Sequence, residues 1–221
     1  MAIAFDAATD AGANGGTTFT FSHTCTGSDR LLFVGFVWSI SDDDVVSVTY
    51  GGVAMTLVAK NLTGMNRYLY RLIAPAAGAN DAVITITTGR TVFAGAVSYT
   101  GADQTSQPGA TTNNSASSAT SLLTSVTTTV DQAWTVLLEG SYNGGPEPGA
   151  GTGATKREAD AGFGTWGLFD SGSAISPAGS YSMTTTRTSG TDREIGHIMV
   201  ALNPPGGGGG GGNPYYAYAQ M

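Results

Sequence analysis

Charge is scarce in this sequence. Asp, Glu, Lys and Arg make up only 11% of its 221 residues, against roughly 25% in an ordinary soluble domain. Helix surfaces are normally built from those residues and Ala, so the shortage excludes coiled coils, helical bundles and charged disordered chains. The nine basic residues never cluster, which leaves no phosphate-tracking stripe and no expectation of nucleic acid as a partner. A single cysteine, Cys25, excludes an internal disulfide framework and a multi-cysteine zinc site. The longest apolar run, Leu31 to Ile40, is strand-sized and interrupted by Gly35, far short of the roughly 20 residues of a membrane span. The first residues, MAIAFDAATDAGANGG, lack the basic and apolar regions of a secretory signal, so export by that route is not expected.

What the chain has instead is Gly, Thr, Ser and β-branched residues, the alphabet of sheets and turns. Period-two alternation marks strands at Phe19 to Cys25, Leu31 to Ile40, Val45 to Tyr50, Val53 to Ala59, Arg67 to Ala74, Ala82 to Thr88 and Val92 to Thr100. It continues at Leu122 to Val130, Ala133 to Tyr142, Trp166 to Asp170, Tyr181 to Thr188 and Ile195 to Asn203. So many short strands predict an all-β fold, a two-sheet antiparallel β-sandwich of jelly-roll type. Its core is expected to hold Phe33, Val34, Phe36, Trp38, Val48, Leu69, Leu72, Ile84, Ile86, Val97, Val136, Leu138, Ile198 and Val200. In Phe19 to Cys25 the odd positions are the less polar ones, so that strand has one wet side. Ile195 to Leu202 is apolar on both faces and reads as central. The polar stretches Asp103 to Ser121 and Gly144 to Gly153 read as surface loops.

The clearest boundary comes late. After the sandwich domain, residues 1–203, Pro204-Pro205 and seven glycines form a linker over 204–212, followed by an aromatic segment at 213–221, NPYYAYAQM. That segment carries three tyrosines and no charge, the composition of a docking peptide, with Tyr215, Tyr216, Tyr218 and Met221 as partner-binding residues.

Catalytic chemistry finds little to work with. The two histidines, His23 and His197, lie on predicted strands and read as hydrogen-bonded structural residues. Cys25 shares a strand face with His23 at a spacing of about 7 Å, too long for a nucleophile and its base, and reads as a small core hydrophobe. No G-x-S-x-G elbow occurs. Glu139, Glu147, Glu158 and Glu194 are the carboxylates a glycosidase would have to pair, and nothing in their spacing pairs them. The reading is therefore of no enzyme, no cofactor and no obligate metal. Asp42-Asp43-Asp44 could coordinate calcium, or could simply blunt a solvated hairpin loop. Trp38 and Trp134 sit in apolar strands and read as core. Trp166, beside Phe163 and after a loop, is the best candidate for an exposed platform on which surface glycans would stack, although a packed role is open to it as well.

Three blocks of the sequence carry a resemblance. Val48-Thr49-Tyr50-Gly51-Gly52-Val53-Ala54-Met55-Thr56-Leu57 is followed by Tyr70-Arg71-Leu72-Ile73-Ala74-Pro75-Ala76-Ala77-Gly78-Ala79-Asn80. The third is Ala94-Gly95-Ala96-Val97-Ser98-Tyr99-Thr100-Gly101-Ala102-Asp103-Gln104-Thr105. With the closing Val200-Ala201-Leu202-Asn203-Pro204, this pattern resembles a β-sandwich domain of phage virion structural proteins and bacterial surface proteins. The polyglycine run is similar to those of some phage adhesins. The resemblance implies a sandwich and no catalytic residues. A charge-poor, externally styled domain without an export signal suits a virion subunit, assembled in the host cytoplasm and released by lysis. The expected protein is a head-decoration, head-fibre or tail-associated subunit, homo-oligomeric and bound to a neighbouring capsid or tail subunit. A carbohydrate-binding module or adhesin is the first alternative, and an extracellular filament subunit using strand addition the second.

Overall fold

The computed structural model describes residues 1–38, 42–160, 162–187 and 194–206, with the side chains of 142–145 and 162–163 set aside. These residues are 69% strand with no helix, so the all-β antiparallel sandwich expected from the alternation is what forms. One sheet holds β1 (Ala4–Cys25), β2 (Leu31–Trp38), β3 (Val45–Tyr50), β4 (Val53–Ala54), β5 (Thr56–Asn61), β6 (Asn66–Ile73) and β7 (Gly78–Thr100). A second holds β8 (Ala110–Ser117), β10 (Trp134–Gly145), β12 (Thr155–Asp160), β13 (Gly162–Asp170) and β15 (Glu194–Leu202) in the order β12-β13-β10-β15-β8. A third, smaller sheet holds β9 (Ser121–Thr127), β11 (Gly149–Ala150) and β14 (Ser180–Thr186).

The first sheet folds over on itself. Ala82, Ile84 and Ile86 on one limb of β7 and Val92, Ala94 and Ala96 on the other share a side of the strand and meet in one apolar cluster, so β7 arches and turns its face inward. β1 follows it along the whole arch, from Ala4 opposite Thr100 to Cys25 opposite Gly78, with register shifts at Asp10/Ala13 and Gly16/Thr18 where the bend falls. Gly16 supplies the backbone there, with a φ of 129° that a side chain would strain. β4 pairs with β3 and β5 with β6, and only Met55 separates β4 from β5. Its N–H donates to Val48 O at 2.8 Å, so one bent segment joins the two margins of the sheet. Inside, Phe36 stacks on Tyr68 directly across the β2–β6 pair at 5.2 Å, and Trp38 on Tyr68 at 4.7 Å. Each such pair contributes about 0.5–1.5 kcal/mol beyond its area.

Two further apolar layers follow. Phe33, Val37, Leu69 and Val97 of the first sheet meet Val136, Leu138, Trp166, Leu168 and Ile198 of the second. The far side of the second sheet, Leu137, Phe169 and Met199, is covered by Val126 and Met183 of the third. Strands β2 and β15 are therefore buried on both faces and show no alternation, whereas β9, on the outside, alternates strictly.

The expected core is buried, with Leu72 half-buried at the margin. Several boundaries differ from the expectation. The runs at Ala82 and Val92 are one arched strand, and the strand at Phe19 begins as early as Ala4. The presumed loop Asp103 to Ser121 contains β8, whose ATTNNSAS pairs with β15 through eight residues. Half-buried polar side chains at a sheet margin carry no apolar period, so β8 leaves no trace in the hydrophobic pattern. Gly144 to Gly153 likewise contains β11, and β12 at Thr155–Asp160 was hidden by its charges.

Candidate functional site

Two polar clusters lie between the layers, each around a histidine. In the first, the two limbs of the β1 arch bring His23 against Asp6, Thr9 and Ser98, and His23 is buried. Ser98 Oγ donates to Asp6 Oδ2 at 2.8 Å. A hydroxyl has one proton, so the 3.0 Å contact to His23 Nε2 must be donated by the imidazole. His23 Nδ1 then accepts from Thr9 Oγ at 2.8 Å. Burial pushes the imidazole down to about 4, against the pull of Asp6. This fixed tautomer is the reverse of a serine nucleophile and its base, in which the ring would take the hydroxyl proton. Cys25 is buried beside it, and burial pushes its thiol up.

The second cluster spans the second sheet. On the side facing the third sheet, the buried Glu139 Oε1 accepts from Arg187 Nε at 2.9 Å and Nη2 at 2.6 Å. His197, directly opposite Glu139 on β15, is held between Thr124 Oγ at 2.8 Å and Thr185 Oγ at 2.9 Å. Burial raises Glu139, with Arg187 opposing, and pushes His197 down to about 3, helped by Arg67 and Arg187. On the opposite side, Arg67 crosses from β6 and donates through Nε to Gly140 O at 2.9 Å and through Nη1 to Met65 O at 2.8 Å. Its Nη1 is 3.5 Å from Glu194 Oε1. The guanidinium fits because Gly140 and Gly196 face each other beneath it; a Cβ on Gly196 would stand 2.2 Å from Arg67 Cζ. Glu139 and Glu194 thus occupy opposite faces of one sheet, each against an arginine, an arrangement that cannot flank a glycosidic bond.

The aspartates at 42–44 are held by cations of the chain itself. Arg90 pairs with both Asp42 and Asp44, while Asp43 takes Lys60 and the Tyr68 hydroxyl. Among the described residues no group of three or more His, Cys, Asp or Glu is placed to hold a metal. Trp166 is not a platform. It is fully buried, with its ring against Gly95 of β7, because β13 lies inside the second sheet between β12 and β10. Trp38 and Trp134 are core as expected. The Phe163 side chain and Tyr215, Tyr216, Tyr218 and Met221 lie outside the described residues.

Sequence reasoning missed Arg67 and Arg187, the cations on which both carboxylates depend. A signal existed for one of the two pairs: Glu139 stands in the apolar run Trp134 to Tyr142, and a charge in a strand buried on both faces requires a partner.

No protein-family model and no curated protein matches this chain. Among solved structures it is similar to the major capsid protein P2 from bacteriophage PM2, at 9% identity and a TM-score of 0.28, over 91% of this chain and 97% of that one. A likeness so slight carries no argument.

Proposed function

We propose that this chain is a non-enzymatic structural protein of a phage virion, a head-decoration, head-fibre or tail-associated subunit that assembles in the host cytoplasm and leaves by lysis. The observation that carries the non-catalytic half is the state of the chemical groups. Both histidines are neutral and locked between hydroxyls, Ser98 gives its proton to Asp6, and Glu139 is bound by Arg187. The virion half is supported by the charge-poor, Thr- and Gly-rich composition and by the sandwich blocks at Val48, Tyr70 and Ala94. Assembly uses the sandwich and the segment bearing Tyr215, Tyr216, Tyr218 and Met221, joined to other copies and to a neighbouring capsid or tail subunit. The filament reading gains from the outer side of β1, with which no strand pairs among the described residues. The glycan reading has lost Trp166.

The test is particle association. Antibody raised against the purified chain should label density-banded phage particles from a host carrying its gene, and the chain should co-sediment with them. A chain confined to the particle-free fraction, or one with a hydrolase activity abolished by Glu139→Gln or His197→Gln in a folded variant, overturns the reading.

A further inference from the structure

Among the described residues, the outer limb of β1, Thr17 to Cys25, is a free sheet edge. It pairs with β7 on one side, and among the described residues no strand pairs with the other; near its end the Tyr50 hydroxyl donates to His23 O at 2.9 Å and also meets the Cys25 backbone. Natural edges are protected by charge, proline or bulges. This limb has none: no residue between Asp10 and Asp29 is charged, none is proline, and the last register shift falls before Thr18. Thr18, Thr20, Ser22 and Thr24 are exposed on its outer face. On the inner face Phe19 is buried and Phe21, packed edge-on against it at 6.0 Å, is half-buried, so Phe21 supplies the apolar surface left at the sheet margin.

We infer that this edge receives the segment Asn213 to Met221 of a second copy as an added strand. The inference rests on the assembly reading above and names the surface it uses. Tyr216 and Tyr218 repeat at the same two-residue period as Phe19 and Phe21, so in an extended strand both tyrosines share the face on which Phe21 is uncovered while Tyr215 faces the threonines. Donor and acceptor lie at one end of the molecule. Asp103 N donates to Asn203 O at 2.9 Å, and Ala102 N and Gly101 N donate to Asp29 O and Ser28 O, just beyond Cys25. Pro204 to Gly212 extend at most about 30 Å, enough to reach an edge on a copy meeting that end. Two such copies each give a segment and take one, so the exchange is reciprocal and closes as a pair.

The experiment compares the purified full chain with a chain ending at Gly212 and uses a fluorescent NPYYAYAQM peptide. The full chain should sediment as a concentration-dependent dimer and the shortened one as a monomer that binds the peptide. Phe21→Asp in the shortened chain should weaken peptide binding at least about tenfold, with folding verified by thermal melting, and so should alanines at Tyr216 and Tyr218 in the peptide, which leave the sandwich untouched. Identical sedimentation of the two chains overturns the inference, as does peptide binding indifferent to the tyrosines. A full chain that stays monomeric and refuses the peptide also overturns it, because its segment then fills its own edge. Particle association is read separately: a chain found on particles but monomeric when pure sinks the exchange and leaves the structural reading standing.

Discussion

His23 and His197 are held neutral by burial, and that has a sign in pH. The unfolded chain takes up these protons near 6.5, the folded one only near 4 for His23 and near 3 for His197. Between those values the unfolded state binds more protons, so acid favours it. Stability is full above about pH 6.5 and falls by about 1.4 kcal/mol per pH unit for each histidine as pH drops. Melting temperatures from pH 7 to 4 should show this slope, and His197→Gln should flatten it. Asp43 and Asp44, held below the usual carboxylate range by Lys60 and Arg90, add their loss only at lower pH. Glu139→Ala removes the carboxylate that balances the buried Arg187 guanidinium, leaving it only neutral acceptors such as Pro146 O and Thr165 Oγ1, and is expected to cost about 3–5 kcal/mol in urea unfolding, much of it recovered by pairing Glu139→Leu with Arg187→Met. That both histidines are buried and hydrogen-bonded, and that Cys25 is a core residue, was legible in the sequence from strand position alone. The arginines were not, since Arg67 lies more than 70 residues from the Gly140 carbonyl it meets.

At the scale of elements, close approach decides. Gly95 lets the Trp166 ring and the Thr9 carbonyl of β1 meet β7; a Cβ there would lie 2.2 Å from the ring and 2.5 Å from the carbonyl. Gly95→Ala should therefore cost about 1–3 kcal/mol or more. Gly15, on the same β1–β7 pair, has open space around its missing Cβ and an ordinary φ. Gly15→Ala should be neutral or stabilising by up to about 1 kcal/mol. Denaturant midpoints of the two variants measure the contrast, which glycine content alone could not have anticipated.

For the whole molecule, the stack depends on pairings distant in sequence: β1 with β7, and β10 with β13 and β15. Such topologies fold slowly, because loop closure costs entropy before any contact forms. β15 ends at Leu202 and the chain turns outward at Pro205. A chain ending at Gly206 should thus keep the melting temperature of the full chain to within about 2 °C at concentrations where both are monomeric, against about 4 °C or more for the loss of a core side chain worth about 2 kcal/mol or more. A larger drop in calorimetry would make the segment part of the sandwich itself.

The all-β class, the core of Phe33, Phe36, Trp38, Val136 and Ile198, the wet side of β1 and the centrality of β15 can all be read from the residues in order. Each follows from side-chain alternation within a few residues, which is a local property. It took the packed layers to show that Trp166 is sealed rather than exposed, that β8 is a strand, that Asp42, Asp43 and Asp44 are held by Arg90 and Lys60, and that Arg67 lies over Gly140 and Gly196. Those outcomes depend on which layer covers which face, and covering is done by segments far along the chain, whose approach leaves no period in the residues they cover.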